Sequence, residues 1–147
     1  MLFRSRWSPE EYVRRADPER IAKDESILHA WQDGGKRYFL IRFLWAHTHI
    51  LRRLAELLGG RLAEPRTPEI RERMKKELAP WQTQAIVLGG AWQFGRWVFA
   101  DGTEWGEKLP PRDNFYAGPG LSVPGLLNGE FCALQRGQAF LIEIPLE

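Results

Sequence analysis

The chain has 147 residues, 44% of them apolar and 27% charged, and its 21 Lys+Arg against 19 Asp+Glu leave a net charge of +2. This balance suits one soluble globular domain and excludes disordered, collagen-like and low-complexity polymers. A single cysteine, Cys132, excludes an intramolecular disulfide and a cysteine-based zinc site.

The start, MLFRSRWSPEE, has no apolar stretch of the secretory kind. The greasiest segment, Tyr38 to Leu51, is interrupted by Arg42, His47 and His49 and is too short to span a bilayer. The expectation is a cytoplasmic protein with no membrane partner. Arginine outnumbers lysine 16 to 5. Arg suits bidentate phosphate or carboxylate recognition, but a GC-rich genome or a warm habitat gives the same bias.

In chain order, three helix starts share one form: Ser8-Pro9-Glu10, Asp17-Pro18-Glu19 and Thr67-Pro68-Glu69. Each offers a capping side chain, a proline at the first helical position and an acid at the positive helix end. Glu11 completes a capping box with Ser8. The second helix is expected to pass Ile21, Leu28 and Trp31 and stop at Gly34-Gly35. The third, over Tyr38 to Leu58, carries Leu40, Phe43, Leu44, Leu51 and Leu54 near helical spacing, with a short β start at Lys36–Phe39 left open. The fourth runs from Pro68 to Ala79.

From Trp81 the period changes. Ala85 to Leu88 reads as a buried strand before Gly89-Gly90. Asp101-Gly102 signals a hairpin of Trp92–Phe99 with Thr103–Glu107, setting Val98 opposite Trp105 and Arg96 opposite Glu107. A second hairpin about Arg136-Gly137 would pair Glu130–Gln135 with Gln138–Glu143. Between them lies a Pro/Gly-rich loop, Lys108–Gly129. The predicted class is α+β: an N-terminal layer of about four helices followed by an antiparallel sheet of hairpins, in a single domain over 1–147. Residues 1–79 form a basic half, 17 cations against 12 acids, and residues 80–147 a β-rich half with 4 against 7.

Arg52, Arg53, Arg66, Arg71, Arg73, Lys75 and Lys76 crowd the third and fourth helices and form the candidate binding face. Glu69, Glu72 and Glu77 partly neutralise it. His47 and His49 point apart on a helix, so with His29 they suggest no metal site. Glu130 and Glu143 fall opposite each other in the second hairpin, where like charges either face solvent or form a working carboxylate pair. Gly118-Pro119-Gly120 lacks the third glycine of a dinucleotide fingerprint, and no Walker or G-x-S-x-G motif is present. Cys132 reads as a small core residue.

The seven tryptophans exceed what a small core absorbs. On one strand Trp92 and Phe94 would share a face and Trp97 and Phe99 the other. Displayed rings beside Arg are the usual anchors of interfaces and of single-strand binders. The reading is a non-catalytic interaction or regulatory protein without metal or cofactor, docking on a protein or nucleoprotein assembly. It would use the basic face, Trp92, Trp97, Phe115 and Tyr116. Direct DNA or RNA binding by the basic helices, or a small hydrolase or nuclease, are the alternatives.

Overall fold

The structure, a computed structural model, describes residues 27–42, 48–111, 122–135 and 137–146. Ile27–Asp33 (β1) and Lys36–Arg42 (β2) form an antiparallel hairpin turned by Gly34-Gly35, both at positive φ. Thr48–Leu57 (α1) and a short strand Arg61–Leu62 (β3) follow, then Pro68–Leu78 (α2). Short strands come next: Ile86–Val87 (β4), Ala91–Gln93 (β5) and Arg96–Val98 (β6). Val123–Leu127 (β7), Glu130–Leu134 (β8) and Ala139–Pro145 (β9) are the last described strands.

The large sheet has the order β1-β2-β9-β4-β7-β8, with β3 also on β9. The C-terminal strand is its hub. β9 lies antiparallel to all of β2, and its other edge takes β3 beside Glu143 and Ile142 and, in parallel, β4 beside Ala139 and Phe140. Alternation along β2 and β9 divides the core. Tyr38, Leu40, Ala139 and Leu141 face α2 residues Met74 and Leu78 together with Trp31, Trp97 and Trp105. Phe39, Ile41, Phe140 and Ile142 face Leu51, Leu54 and Ala55 of α1. A strand covered on both sides is apolar throughout rather than alternating.

That property explains the main correction. The expected N-terminal layer of about four helices is not what forms: among the described residues there are two helices and mostly strands. Leu28 and Trp31 belong to β1, Gly34-Gly35 is a hairpin turn rather than a helix stop, and Tyr38 to Ile41 lie in β2. A run apolar on both faces fits a helix and a doubly covered strand equally well, and the short β start left open at Lys36–Phe39 is the one that forms, extended to Arg42. The starts at Ser8 and Asp17 lie outside the described residues. The start at Thr67 forms as read, its Oγ1 accepting from the Ile70 amide at 3.1 Å.

The second hairpin is also corrected. β8 pairs with β7 through an Asn128-Gly129 turn, and β9 pairs elsewhere. Glu130 therefore lies opposite Leu127, while Glu143 lies opposite Tyr38 and Arg61, so the two acids form no pair.

Glu143 and Glu64 are each only 2% exposed. Glu143 accepts from the Glu64 amide at 2.7 Å and sits 2.6 Å from Lys36 Nζ and 3.5 Å from Arg61 Nε. Glu64 takes Arg66 at 2.6 Å, Arg61 at 3.2 Å and the Ala100 amide at 2.8 Å. Buried carboxylates persist when each lone pair is engaged in this way.

Tyr38 stacks on Trp31 beside this network, with ring centroids 5.0 Å apart. Burial, then the Glu143 and Asp33 carboxylates, push its hydroxyl from the ordinary 10.0 up to about 12. The unfolded chain releases this proton first, so stability present below pH 10.0 is lost as pH climbs toward about 12. Denaturant melts across that window are expected to show a smaller loss for Tyr38→Phe than for the parent. Equal losses would contradict the assignment.

Candidate functional site

The β5–β6 hairpin and the segment after it build one open cleft of about 670 Å³. Trp92 and Trp97 are opposed across the ladder, so they fall on the same face. Their rings meet edge to face, 5.3 Å apart at 70°. This corrects the expectation that they lie on opposite faces. That expectation treated 92–99 as one strand, whereas Phe94-Gly95 folds it into two. Trp97 is 7% exposed and forms the floor, while Trp92 is half-buried and forms a wall.

Asp101-Gly102 does turn the chain, as expected, but with a shifted register. Val98 bridges Glu104, and the Trp105 amide donates to the Trp97 carbonyl at 3.0 Å. Arg96 consequently pairs with Glu104 at 2.7 Å rather than with Glu107. Arg66 clamps this turn, reaching Asp101 at 2.9 Å while lying over the Phe99 ring at 4.9 Å. The Arg66 guanidinium, followed by the Thr103 side chain and amide, holds the Asp101 carboxyl well below the usual range.

The opposite wall is Gly106 to Pro110. Arg71 reaches up from α2, donating Nη2 to the Trp105 carbonyl at 2.5 Å with Nε 3.7 Å from Glu107. Pro110 is tied to the large sheet by accepting from the Ala133 amide at 2.9 Å. Beneath the wall Trp105, fully buried, donates Nε1 to the Gly89 carbonyl at 3.2 Å. The cleft thus joins an aromatic corner to a rim bearing Arg96, Glu104, Glu107 and Lys108.

The seven expected cations do not make one face. Arg52 donates to the Gly90 carbonyl at 2.6 Å, Arg53 pairs with Glu56 at 3.6 Å, and Arg73 with Glu77 at 3.9 Å. Lys75 lies over the Phe131 ring at 5.2 Å, and Arg66 and Arg71 are the cleft supports just described. Lys76 is exposed on α2. Of the expected aromatics the structure brings together Trp92 and Trp97; Phe115 and Tyr116 lie outside the described residues. His47 also lies outside them, and His29 stacks on Trp81 at 5.1 Å. Cys132 is buried in β8. Among the described residues no three His, Cys, Asp or Glu side chains could hold a metal ion, and no helix is long and apolar enough to cross a membrane.

Sequence reasoning missed Arg96, Glu104, Glu107 and Lys108 as a group. The available signal was their interleaving with Trp92, Trp97 and Trp105 in one short stretch. A search for clustered cations passes over charges of mixed sign.

No family model matches the chain, and no curated protein is significantly similar to it in sequence. Solved structures do resemble it. A mouse scavenger receptor C-type lectin carbohydrate-recognition domain superposes with a TM-score of 0.61 at 17% identity, covering 82% of this chain and 96% of that one. The human counterpart gives 0.60 at 20%, covering 80% and 97%. A complex of SPL-1 with GlcNAc gives 0.61 at 11%, covering 82% and 96%. The chain therefore has the C-type lectin-like fold.

These neighbours overturn the expected protein, nucleoprotein or nucleic-acid partner. The mouse and human scavenger receptor neighbours are carbohydrate-recognition domains. The basic residues behind that expectation are spread over the fold and mostly engaged within it, which is its physical correction.

Proposed function

We propose that this chain is a non-catalytic carbohydrate-binding domain and that the Trp92–Trp97 cleft receives a sugar ring. The observation that carries the reading is the aromatic corner beneath a rim of charges of both signs. A pyranose is apolar on its C–H faces and carries hydroxyls around its edge, each both donor and acceptor. An indole face covers the first surface. Glu104 and Glu107 accept from the hydroxyls, and Arg96 and Lys108 donate to them. Small-ligand sites commonly combine an apolar lining with a few placed polar groups in roughly 300–1,000 Å³.

The two scavenger receptor domains and the GlcNAc-bound SPL-1 structure support the same ligand class. A single ring buries little area, so affinity near 1 mM, about −4 kcal/mol, is the expected scale. Calorimetry with glucose, mannose, galactose and N-acetylglucosamine tests the reading. Trp92→Ala, checked for folding by circular dichroism, is expected to weaken the best of these by about tenfold or more. Unchanged affinity in that variant would place the sugar elsewhere.

A further inference from the structure

Three two-residue hairpin turns among the described residues have both central residues at positive φ: Gly34-Gly35 at 57° and 77°, Phe94-Gly95 at 52° and 79°, and Asn128-Gly129 at 53° and 75°. This geometry suits right-twisted hairpins, and glycine and asparagine enter it at little cost. A bulky side chain does not. Phe94 thus occupies the position that Gly34 and Asn128 fill in the sister turns.

Among the described residues nothing offsets that strain. Phe94 is 97% exposed, so its ring packs against no other part of the described structure, and the turn itself needs no phenyl group. A strained position with a displayed apolar ring points to a role other than packing within the described fold. The place of the ring narrows the choice. Its neighbours Trp92, Gly95 and Arg96 all line the cleft, and the cleft volume of about 670 Å³ exceeds that of a single hexose.

Resting on the carbohydrate reading of that cleft, we infer that Phe94 is a third aromatic contact for the ligand. The site takes a chain of at least two linked sugars, one ring in the Trp92–Trp97 corner and the next across Phe94. Phe94 thereby sets specificity for oligosaccharide over monosaccharide, while its backbone strain is carried by the turn.

Phe94→Asn tests this, because it installs the residue that Asn128 already supplies to the same turn geometry. Glucose, mannose, galactose and N-acetylglucosamine are titrated beside a trisaccharide of each, into the parent chain and the variant. The parent is expected to prefer a trisaccharide by about tenfold, and Phe94→Asn to erase that preference while leaving monosaccharide affinity unchanged. The variant is also expected to melt no lower than the parent.

A parent that binds both lengths equally, or a variant that keeps the preference, overturns the inference alone. A variant that melts lower shows the ring to be part of the fold and likewise overturns it. A parent that binds none of the eight saccharides overturns the reading of the cleft and this inference with it. Binding of the parent to phosphatidylcholine vesicles, lost in the variant while saccharide preference is untouched, would assign the ring to a lipid surface instead.

Discussion

Replacing Glu143 by alanine is expected to destabilise the fold by about 3 kcal/mol, the lower end of what breaking a buried, hydrogen-bonded ion pair costs. The value stays low because Lys36 and Arg61 are 26% and 44% exposed and can turn back to water. The Glu64 amide cannot. It donates to Glu143 at 2.7 Å in a buried setting, and losing that acceptor leaves it unpaired. The damage also spreads. Arg61 links Glu143 to Glu64, Glu64 holds Arg66 and the Ala100 amide, and Arg66 clamps Asp101. One acid on the central strand thus steadies the turn that carries the cleft. Urea denaturation at neutral pH checks this, with Glu143→Gln expected to lose less because it keeps an acceptor for the amide. A loss below about 1 kcal/mol for the alanine variant would show that the network is dispensable.

Trp105→Ala is expected to cost about 3–5 kcal/mol, the range for emptying a large aromatic site in a core that cannot collapse. Trp105 is fully buried between Phe99, at 5.2 Å, and Phe131, at 5.6 Å, and its indole N–H satisfies the Gly89 carbonyl. Its main-chain carbonyl takes Arg71, so the same residue anchors the cleft wall from below. Trp105→Phe keeps most of the apolar volume and loses the hydrogen bond, so it should lie between parent and alanine variant. Shifts of the denaturation midpoint measure both. An alanine variant within about 1 kcal/mol of the parent would contradict this packing.

Local chemistry was legible where the structure is local. The Thr67 cap and the Pro68 helix start are decided within a few residues, and they form as read. Asp101-Gly102 does turn the chain, but within a three-residue loop, Ala100 to Gly102, that shifts the register from the one expected. Long-range pairing was not legible. β9 finds its main partner in β2, about a hundred residues earlier, and nothing near Ala139 announces that choice. Because both faces of β2 and β9 are covered, neither strand alternates, and the run from Tyr38 fits helical spacing as well as a strand. Asn128-Gly129 carries a strong short hairpin signal, but it sits at the end of a Pro/Gly-rich stretch whose composition reads as loop throughout.

The site was half legible for the same reason. Trp92 and Trp97 stood out by residue type, yet their contact depends on the turn at Phe94-Gly95. Phenylalanine in the first position of such a turn gives no warning of it. The cations were visible in the sequence and their long-range partners were not. Arg52, Arg66, Arg71 and Lys75 are engaged by carbonyls, an acid and a ring brought in from other elements, and Arg53 and Arg73 by acids of their own helices, so a basic half in the sequence is no basic face in the fold.

The central claim is that a sugar sits against Trp92 and Trp97. Saturation-transfer NMR between the parent chain and the tightest-binding saccharide tests it most directly. Transfer from indole protons to the sugar C–H face, accompanied by shifts of the Trp92 and Trp97 Nε1–H signals and not of the buried Trp105, is the expected result. Transfer that persists undiminished in Trp92→Ala, or shifts confined to residues away from the β5–β6 hairpin, would contradict it.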